Sequence, residues 1–280
     1  GGTNSFAVLE EAPPIEATEN KTKVNLPCLV TLSAKSAEAL VAQVERLLKW
    51  LDDHPEAPIG DVCYTTNVSR SQFAFRFAAP APSLADLKKH LANWLKTTSK
   101  DASSLQRTSG VPIAFMFSGQ GAQWAGMAAQ LYRTHSVFRN AMDRCHALAQ
   151  PHLEHGLLEV IFAREGGDAL VNRTDYTQPA LFAVEYALAE LLKSWGISPD
   201  AVIGHSLGEF VAACTAGVMT LEDAMRLVTA RGALMHQMPN GGSMVAIFAQ
   251  ESVARALIDK IAPELAVAAM NGPLNTVVSG

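Results

Sequence analysis

The sequence is poor in charge and in cysteine, and it has no long apolar run. Charged residues make up 18% and hydrophobic residues 49% of the 280 positions. That is enough apolar material for a core, and it excludes wholesale disorder. No stretch of about 18 consecutive apolar residues occurs, so no membrane-spanning helix is expected. Lys and Arg number 22 against 27 Asp and Glu, a net charge of −5. A general nucleic-acid binder needs a basic face, so that class is disfavoured. The first dozen residues lack a basic n-region and an apolar h-region. No secretory leader is expected, and the chain, which opens on Gly1, reads as cut from a longer one.

Cys28, Cys63, Cys145 and Cys214 are scattered and form no CxxC pair, so neither a zinc ribbon nor a thioredoxin motif is present. Buried small hydrophobes are their default role, and four scattered thiols in a chain of this size suggest a reducing cytoplasm. His152 and His155 are three apart with no third ligand, and no metal site is expected. His135 and His236 read as surface or core-edge residues. Met116, Met127, Met219, Met225, Met235, Met238 and Met244 read as core.

At roughly 150 residues per domain, the length predicts about two domains. Phe6–Leu9 is a short strand-like run. Residues 13–23 and 97–110 are polar and turn-rich, and they read as linkers. Between them, Cys28–Leu32, Val62–Thr65 and Phe73–Ala79 read as strands; in the last, Phe73, Phe75 and Phe77 share one face. Helical spacing runs over Ser33–Asp52 and from Ser83 through Leu95. From residue 111 the pattern changes. Val111–Phe117 is a fully apolar run that reads as a buried parallel strand, and Pro199–Gly204 is a second. Helices are expected from about Gly126 through Phe138, over Tyr176–Leu192, over Leu207–Ala216 closed by Gly217, and from a Thr220/Asp223 capping box. Beyond Gly241-Gly242, Ser243–Phe248, Leu265–Met270 and Asn275–Val278 read as strands around a helix at Ser252–Ile261. The fold class is α/β: a small α+β module at 14–110, a parallel-sheet domain from 111, and a smaller α+β insert from about 241.

Three local patterns carry chemistry. Gly204-His205-Ser206-Leu207-Gly208 is a G-x-S-x-G pattern between an apolar strand and an apolar helix, the setting of a nucleophile elbow. Ser206 would stand at a helix N-terminus, where the dipole and the Leu207 N–H favour a developing oxyanion. The alternative is a chance serine in a glycine turn. Gly119-Gln120-Gly121 follows a strand but matches no phosphate-binding glycine motif. It is either a second oxyanion donor or a plain tight turn. Arg231 falls on the apolar stripe of the helix from Thr220, with Leu221, Ala224, Met225, Val228 and Met235. A buried guanidinium needs an anion, and a substrate carboxylate held bidentately would serve. The alternative is an arginine whose stem covers apolar surface.

Taken together, Phe117-Ser118-Gly119-Gln120-Gly121-Ala122-Gln123-Trp124-Ala125-Gly126-Met127, Tyr176-Thr177-Gln178-Pro179-Ala180, Gly204-His205-Ser206-Leu207-Gly208-Glu209 and Arg231-Gly232 resemble the acyltransferase domain of a modular (type I) polyketide synthase. The order agrees, with Arg231 25 residues beyond Ser206. The resemblance covers residues 111–280 densely. It implies an α/β-hydrolase-like parallel-sheet large subdomain over 111–240. Residues 241–280 would be the first part of a ferredoxin-like small subdomain, incomplete at the last residue. Residues 14–110 resemble the linker domain joining ketosynthase to acyltransferase. Residues 1–13 resemble the end of a ketosynthase, with Phe6 where that family has a functional histidine.

The resemblance implies that Ser206 takes an acyl group from acyl-CoA and passes it to the phosphopantetheine thiol of an acyl carrier protein. Gln120 and Leu207 would form the oxyanion hole, Arg231 would bind the free carboxylate of the extender, and Gln178 and His205 would line the acyl pocket. No cofactor would be held permanently. Partners would be the carrier protein, an upstream ketosynthase in the same polypeptide and the remainder of the acyltransferase domain, with neither nucleic acid nor membrane. The segment Thr174-Asp175-Tyr176-Thr177-Gln178 resembles the malonyl-selecting type, although one methyl is worth only about 1–3 kcal/mol. The family's general-base histidine and second extender-selecting motif would follow residue 280, so this chain alone should turn over little.

Two other functions use parts of the same pattern. A serine hydrolase or thioesterase also has G-x-S-x-G, but needs an Asp and a His after the serine, and the only His after it here is His236, on the Arg231 helix. A non-catalytic piece of a synthase would fit residues 14–110, which carry no nucleophile, metal pair or phosphate loop.

Overall fold

The computed structural model describes residues 6–8, 10–11, 28–98, 110–163, 168–238 and 241–280. The chain divides into two units, Gly1–Val111 and Pro112–Gly280. The linker at 13–23 and most of that at 97–110 lie outside the described residues. Phe6–Val8 form no strand, against expectation, and no described strand pairs with them.

In the first unit, strand β1 (Cys28–Ala34) pairs antiparallel with β2 (Phe75–Ala81), in register from Cys28 opposite Ala81 to Ala34 opposite Phe75. Helices α1 (Ala37–Asp53), α2 (Ile59–Val68) and α3 (Leu84–Thr98) complete it. Phe75 and Phe77 share the core face, as their alternation predicts, while Phe73 precedes the strand. Ser36 and Ser83 cap α1 and α3 by accepting from the N–H of Ala39 and Asp86, which satisfies donors that a helix start leaves free. The Asn67 side chain accepts from the Thr31 N–H and donates to the Leu29 carbonyl, so it blunts the open edge of β1 as a further strand would.

The expected strand at Val62–Thr65 is a correction, because these residues lie in α2. Their β-branched and aromatic side chains favour a strand. However, Ile59, Val62, Cys63 and Thr66 fall on one helical face. Val62 and Cys63 bury that face in the core of Val30, Leu40, Val44, Leu51, Phe77, Leu87 and Leu91. Tertiary burial overrides local propensity.

In the second unit, β3 (Ala114–Phe117) and β4 (Ala201–Gly204) are parallel and fully in register, Ala114 opposite Ala201 and Phe117 opposite Gly204. The chain between them forms α4 (Ala129–Thr134), α5 (Ser136–Ala149), a short 3-10 turn, α6 (Leu157–Ile161), α7 (Asp168–Val171) and α8 (Thr174–Ser194). Helix α8 is the centre of the core, with both flanks buried from Tyr176 to Val184. Pro179 is the sixth residue of α8 and lies inside the helix, because the helix begins at Thr174, earlier than the sequence predicts; proline there removes one backbone donor from the helical ladder. Helices α9 (Gly208–Thr215) and α10 (Leu221–His236) follow β4, and α10 opens on Thr220, whose hydroxyl accepts from the Asp223 N–H. Strand β5 (Met244–Ile247), helix α11 (Glu251–Ile261) and strands β6 (Ala266–Gly272) and β7 (Asn275–Ser279) build an antiparallel sheet in the order β5-β7-β6.

Of the methionines expected in the core, Met127 and Met225 are buried, but Met116, Met235, Met238 and Met244 are exposed. Met116 alternates with Phe115 and Phe117, whose side chains fill the core, and so it faces away. Cys63 and Cys145 are buried and Cys28 and Cys214 partly so, and none of the four is joined in a disulfide. Among the described residues, no helix is long and apolar enough to cross a membrane.

Candidate active site

Because β3 and β4 are parallel and in register, the two segments that leave them emerge side by side. One is Ser118-Gly119-Gln120; the other is His205-Ser206-Leu207. Clefts at the carboxyl ends of parallel strands are where open α/β sheets bind ligands. The His205 N–H continues the ladder by donating to the Phe117 carbonyl at 3.1 Å.

Ser206 has φ 51°, in the left-handed region that a non-glycine residue enters at a cost. The elbow around it is closed so tightly that a Cβ on Gly208 would collide with the Phe117 carbonyl, and one on Gly204 with the Gly208 backbone. The two glycines of the pattern are therefore required by close approach of backbone, and not only by the turn. Ser206 is exposed, while the Leu207 side chain is fully buried and anchors the elbow. The N–H groups of Gln120 and Leu207 donate to no described residue.

Helix α10 crosses α8 closely at Gly232, where a Cβ would come within 2.9 Å of the Thr174 carbonyl. That approach brings Arg231 to the site. It is half-buried, not fully buried as its place on the apolar stripe predicts, because the stripe ends in the exposed Met235. Its guanidinium donates to Gln178 Oε1 at 2.6 Å and reaches Ser206 Oγ at 3.4 Å. It also lies over the Phe210 ring at 5.8 Å from the centroid, a cation–π distance. Among the described residues it forms no ion pair, so its charge meets only neutral partners.

The fully buried Gln178 donates through Nε2 to Thr174 Oγ1 at 2.9 Å and to Met235 Sδ at 3.2 Å. Thr174 Oγ1 donates in turn to Gln120 Oε1 at 3.0 Å. One hydrogen-bonded chain thus joins Gln120, Thr174, Gln178, Arg231 and Ser206. The exposed His205 ring turns to the second sheet, with Nε2 3.2 Å from Asn271 Oδ1.

The structure brings together all six residues picked out from the sequence. Sequence reasoning gave no role to Thr174 itself, Met235, Asn271, Ser118 or Glu185. Thr174 stands one helical turn before Gln178, a spacing that could have paired them. Glu185 is the single charged residue in the otherwise apolar run 179–189. Asn271 had no local signal, since only the packing of β6 brings it to His205.

Residues 114–280 match the family model described as "Acyl transferase domain". The chain belongs to this acyl transferase domain family. Residues 28–98 match the model "CurL-like, PKS C-terminal". Among curated relatives, the chain is 40% identical over 291 residues to polyketide synthase GfsA of Streptomyces halstedii, covering 100% of this chain and 4% of that protein. It is 35% identical over 282 residues to erythronolide synthase EryA2 of Saccharopolyspora erythraea, covering 100% of this chain and 8% of that protein. The chain therefore spans a small part of these relatives. Among solved structures, the acyl transferase domain of ZmaA superposes with a TM-score of 0.78 at 34% identity, covering 90% of this chain and 59% of that one. The domain of SpnD, in complex with 2-(pent-4-yn-1-yl)malonyl, gives 0.71 at 32% identity, covering 90% and 58%. The α/β two-subdomain architecture is that of these acyl transferase domains.

Proposed function

We propose that this chain loads an extender unit, malonyl in preference to methylmalonyl, from CoA onto the phosphopantetheine thiol of an acyl carrier protein during polyketide synthesis. One observation carries this reading: an arginine with no acidic partner among the described residues stands 3.4 Å from the hydroxyl of a serine held at φ 51° on a strand-to-helix elbow. An acyl group that bears its own carboxylate supplies the missing anion and presents its thioester to the serine. The malonyl-type ligand of the SpnD relative is of that chemistry.

In this reading Ser206 Oγ bonds to the thioester carbonyl carbon and gives its proton to a general base, which the family resemblance puts after residue 280. The carbonyl electron pair moves onto oxygen, where the Gln120 and Leu207 N–H groups receive it. Donors aimed at a developing oxyanion are worth about 10²–10³ in rate each. Collapse breaks the C–S bond, and the proton passes to the CoA sulfur. Attack by the carrier thiol then runs the same steps in reverse, giving ping-pong kinetics. Gln178 orients Arg231, and Gln178 and His205 line the acyl pocket. Residues 14–110 act as the spacer from an upstream ketosynthase, residues 111–240 as the large subdomain and 241–280 as part of the small one, all in the cytoplasm.

Intact-mass spectrometry with malonyl-CoA and methylmalonyl-CoA tests the proposal, using a form extended through the segment that would hold the base. A malonyl adduct that exceeds the methylmalonyl one, disappears in Ser206→Ala and is chased onto a carrier-protein thiol is expected. Hydrolysis to free malonate with no carrier acylation would instead establish a thioesterase.

A further inference from the structure

Glu185 lies on α8, away from the Arg231 chain, and the acyl-transfer steps above do not use it. It is half-buried. Its Oε1 accepts from the Ser118 N–H at 2.9 Å and from the Ser118 hydroxyl at 2.5 Å. Its Oε2 is buried with no hydrogen-bond partner among the described residues. Burial pushes the carboxyl above the ordinary range, and the two bonds from Ser118 oppose that.

A carboxyl half-satisfied at a helix flank costs stability, and an apolar side chain of the same size would remove that cost. Stability is therefore not what Glu185 supplies. It supplies a fixed acceptor to the first residue beyond β3, two positions before Gln120. The same helix grips the other end of this turn, since Thr174 donates to Gln120 Oε1 at 3.0 Å. The two grips lie about three helical turns apart on α8. The middle of the turn is pressed on the elbow, for a Cβ on Gly119 would lie 2.7 Å from His205 Nδ1. The turn is thus held at both ends and from one side, which leaves the Gln120 N–H little freedom of direction.

We propose that Glu185 is a positioning residue for acyl transfer: through Ser118 it fixes the Ser118-Gly119-Gln120 turn so that the Gln120 N–H points at the developing oxyanion. This inference rests on the acyl-transfer reading of Ser206. Its signature is a loss in the chemical step and not in substrate binding, because Glu185 touches neither the acyl group nor Arg231.

The test is the rate of Ser206 acylation by malonyl-CoA in the extended form, followed by rapid quench and intact mass. Glu185→Leu is expected to lower the saturating rate by about tenfold to a hundredfold, the scale of a misplaced donor. The half-saturating malonyl-CoA concentration should stay within about twofold, because uniform binding is untouched. Glu185→Gln keeps an acceptor oxygen and should restore most of the rate. Ser118→Ala should add little in the Glu185→Leu background, since the two residues act as one unit. Acylation by Glu185→Leu at the wild-type rate would overturn the inference, as would a Gln variant as slow as Leu or a loss seen only in half-saturation. If Glu185→Leu does not fold, Ser118→Ala alone decides: a severalfold slower rate supports the inference and an unchanged rate overturns it. A wild-type protein that never acylates Ser206 would overturn the parent reading and this one with it. Normal wild-type acylation with indifferent Glu185 variants would overturn this one alone.

Discussion

The two units of this chain are built from the same materials and treat them differently. Among the described residues of the first unit, no non-glycine residue has a positive φ and no buried side-chain polar atom lacks a partner. Even its buried Ser33 is satisfied, donating to the Ser71 carbonyl and accepting from the Phe73 N–H. The second unit holds Ser206 and Ala128 in the left-handed region and leaves Glu185 Oε2, His146 Nδ1, Thr215 Oγ1 and Asn275 Oδ1 without partners among the described residues. Strain and unpaired polarity persist only where surrounding structure over-determines them, and they gather at functional sites. Ser206 and Glu185, two of these positions, belong to the proposed site, so the contrast accords with the proposal that the first unit is scaffold and the second the seat of chemistry.

Four experiments break or sharpen that contrast. The largest effect concerns a property the units share. Burial pushes the Cys63 and Cys145 thiols each up to about 12. At pH 8 the thiolate of Cys145 should be about a thousandfold scarcer than for an ordinary thiol. Alkylation by iodoacetamide should reach Cys145 only on unfolding; rapid labelling of the native protein would show its core to be open. The sign of the pH effect follows. A folded thiol with a raised pKa keeps its proton, so folding stability is full below the ordinary thiol range and declines as pH rises from there toward about 12.

The next effect separates the units by activity. Arg231→Ala should cut malonyl acylation of Ser206 by about a hundredfold while leaving acetyl acylation within severalfold, because a charge-assisted pair is lost for one substrate only. Equal loss for both would remove the carboxylate role. In the first unit, Leu91→Ala opens a fully buried site and should cost about 2–5 kcal/mol in the denaturant transition of residues 28–98, with Ser206 acylation retained under folding conditions. Loss of acylation there would end the division into scaffold and chemistry. The smallest effect has the opposite sign. Ser206→Gly relieves the φ strain and should raise stability by about 1 kcal/mol while abolishing the adduct. A lowered melting temperature would show that the elbow is not strained.

Much of the site was legible because its signals are local. The Gly204–Gly208 pattern carries its strand before it and its helix behind it within a dozen residues, and the Thr220/Asp223 cap announces α10. The sequence points to a strand where α2 stands because Val62, Tyr64 and Thr65 carry strand propensity, while the face that decides the matter, Ile59-Val62-Cys63-Thr66, has meaning only against a core. Met116 faces outward against expectation for a related reason: an apolar run tells how apolar a strand is and not which of its faces is covered.

By itself the sequence determined the α/β alternation, the elbow with its two close-packed glycines, and the presence of an arginine one helix beyond the serine. These follow from chain-local sterics, periodicity and capping, which act over a few residues. Only the tertiary structure decided that Arg231 meets Gln178 and Ser206, that Thr174 ties Gln178 to Gln120, and that Glu185 grips Ser118. Apart from the local Thr174–Gln178 bond, those contacts join residues 25 to 67 positions apart. They exist because β3 and β4 lie parallel in register and α8 and α10 cross at a glycine, and no short window of sequence contains that geometry.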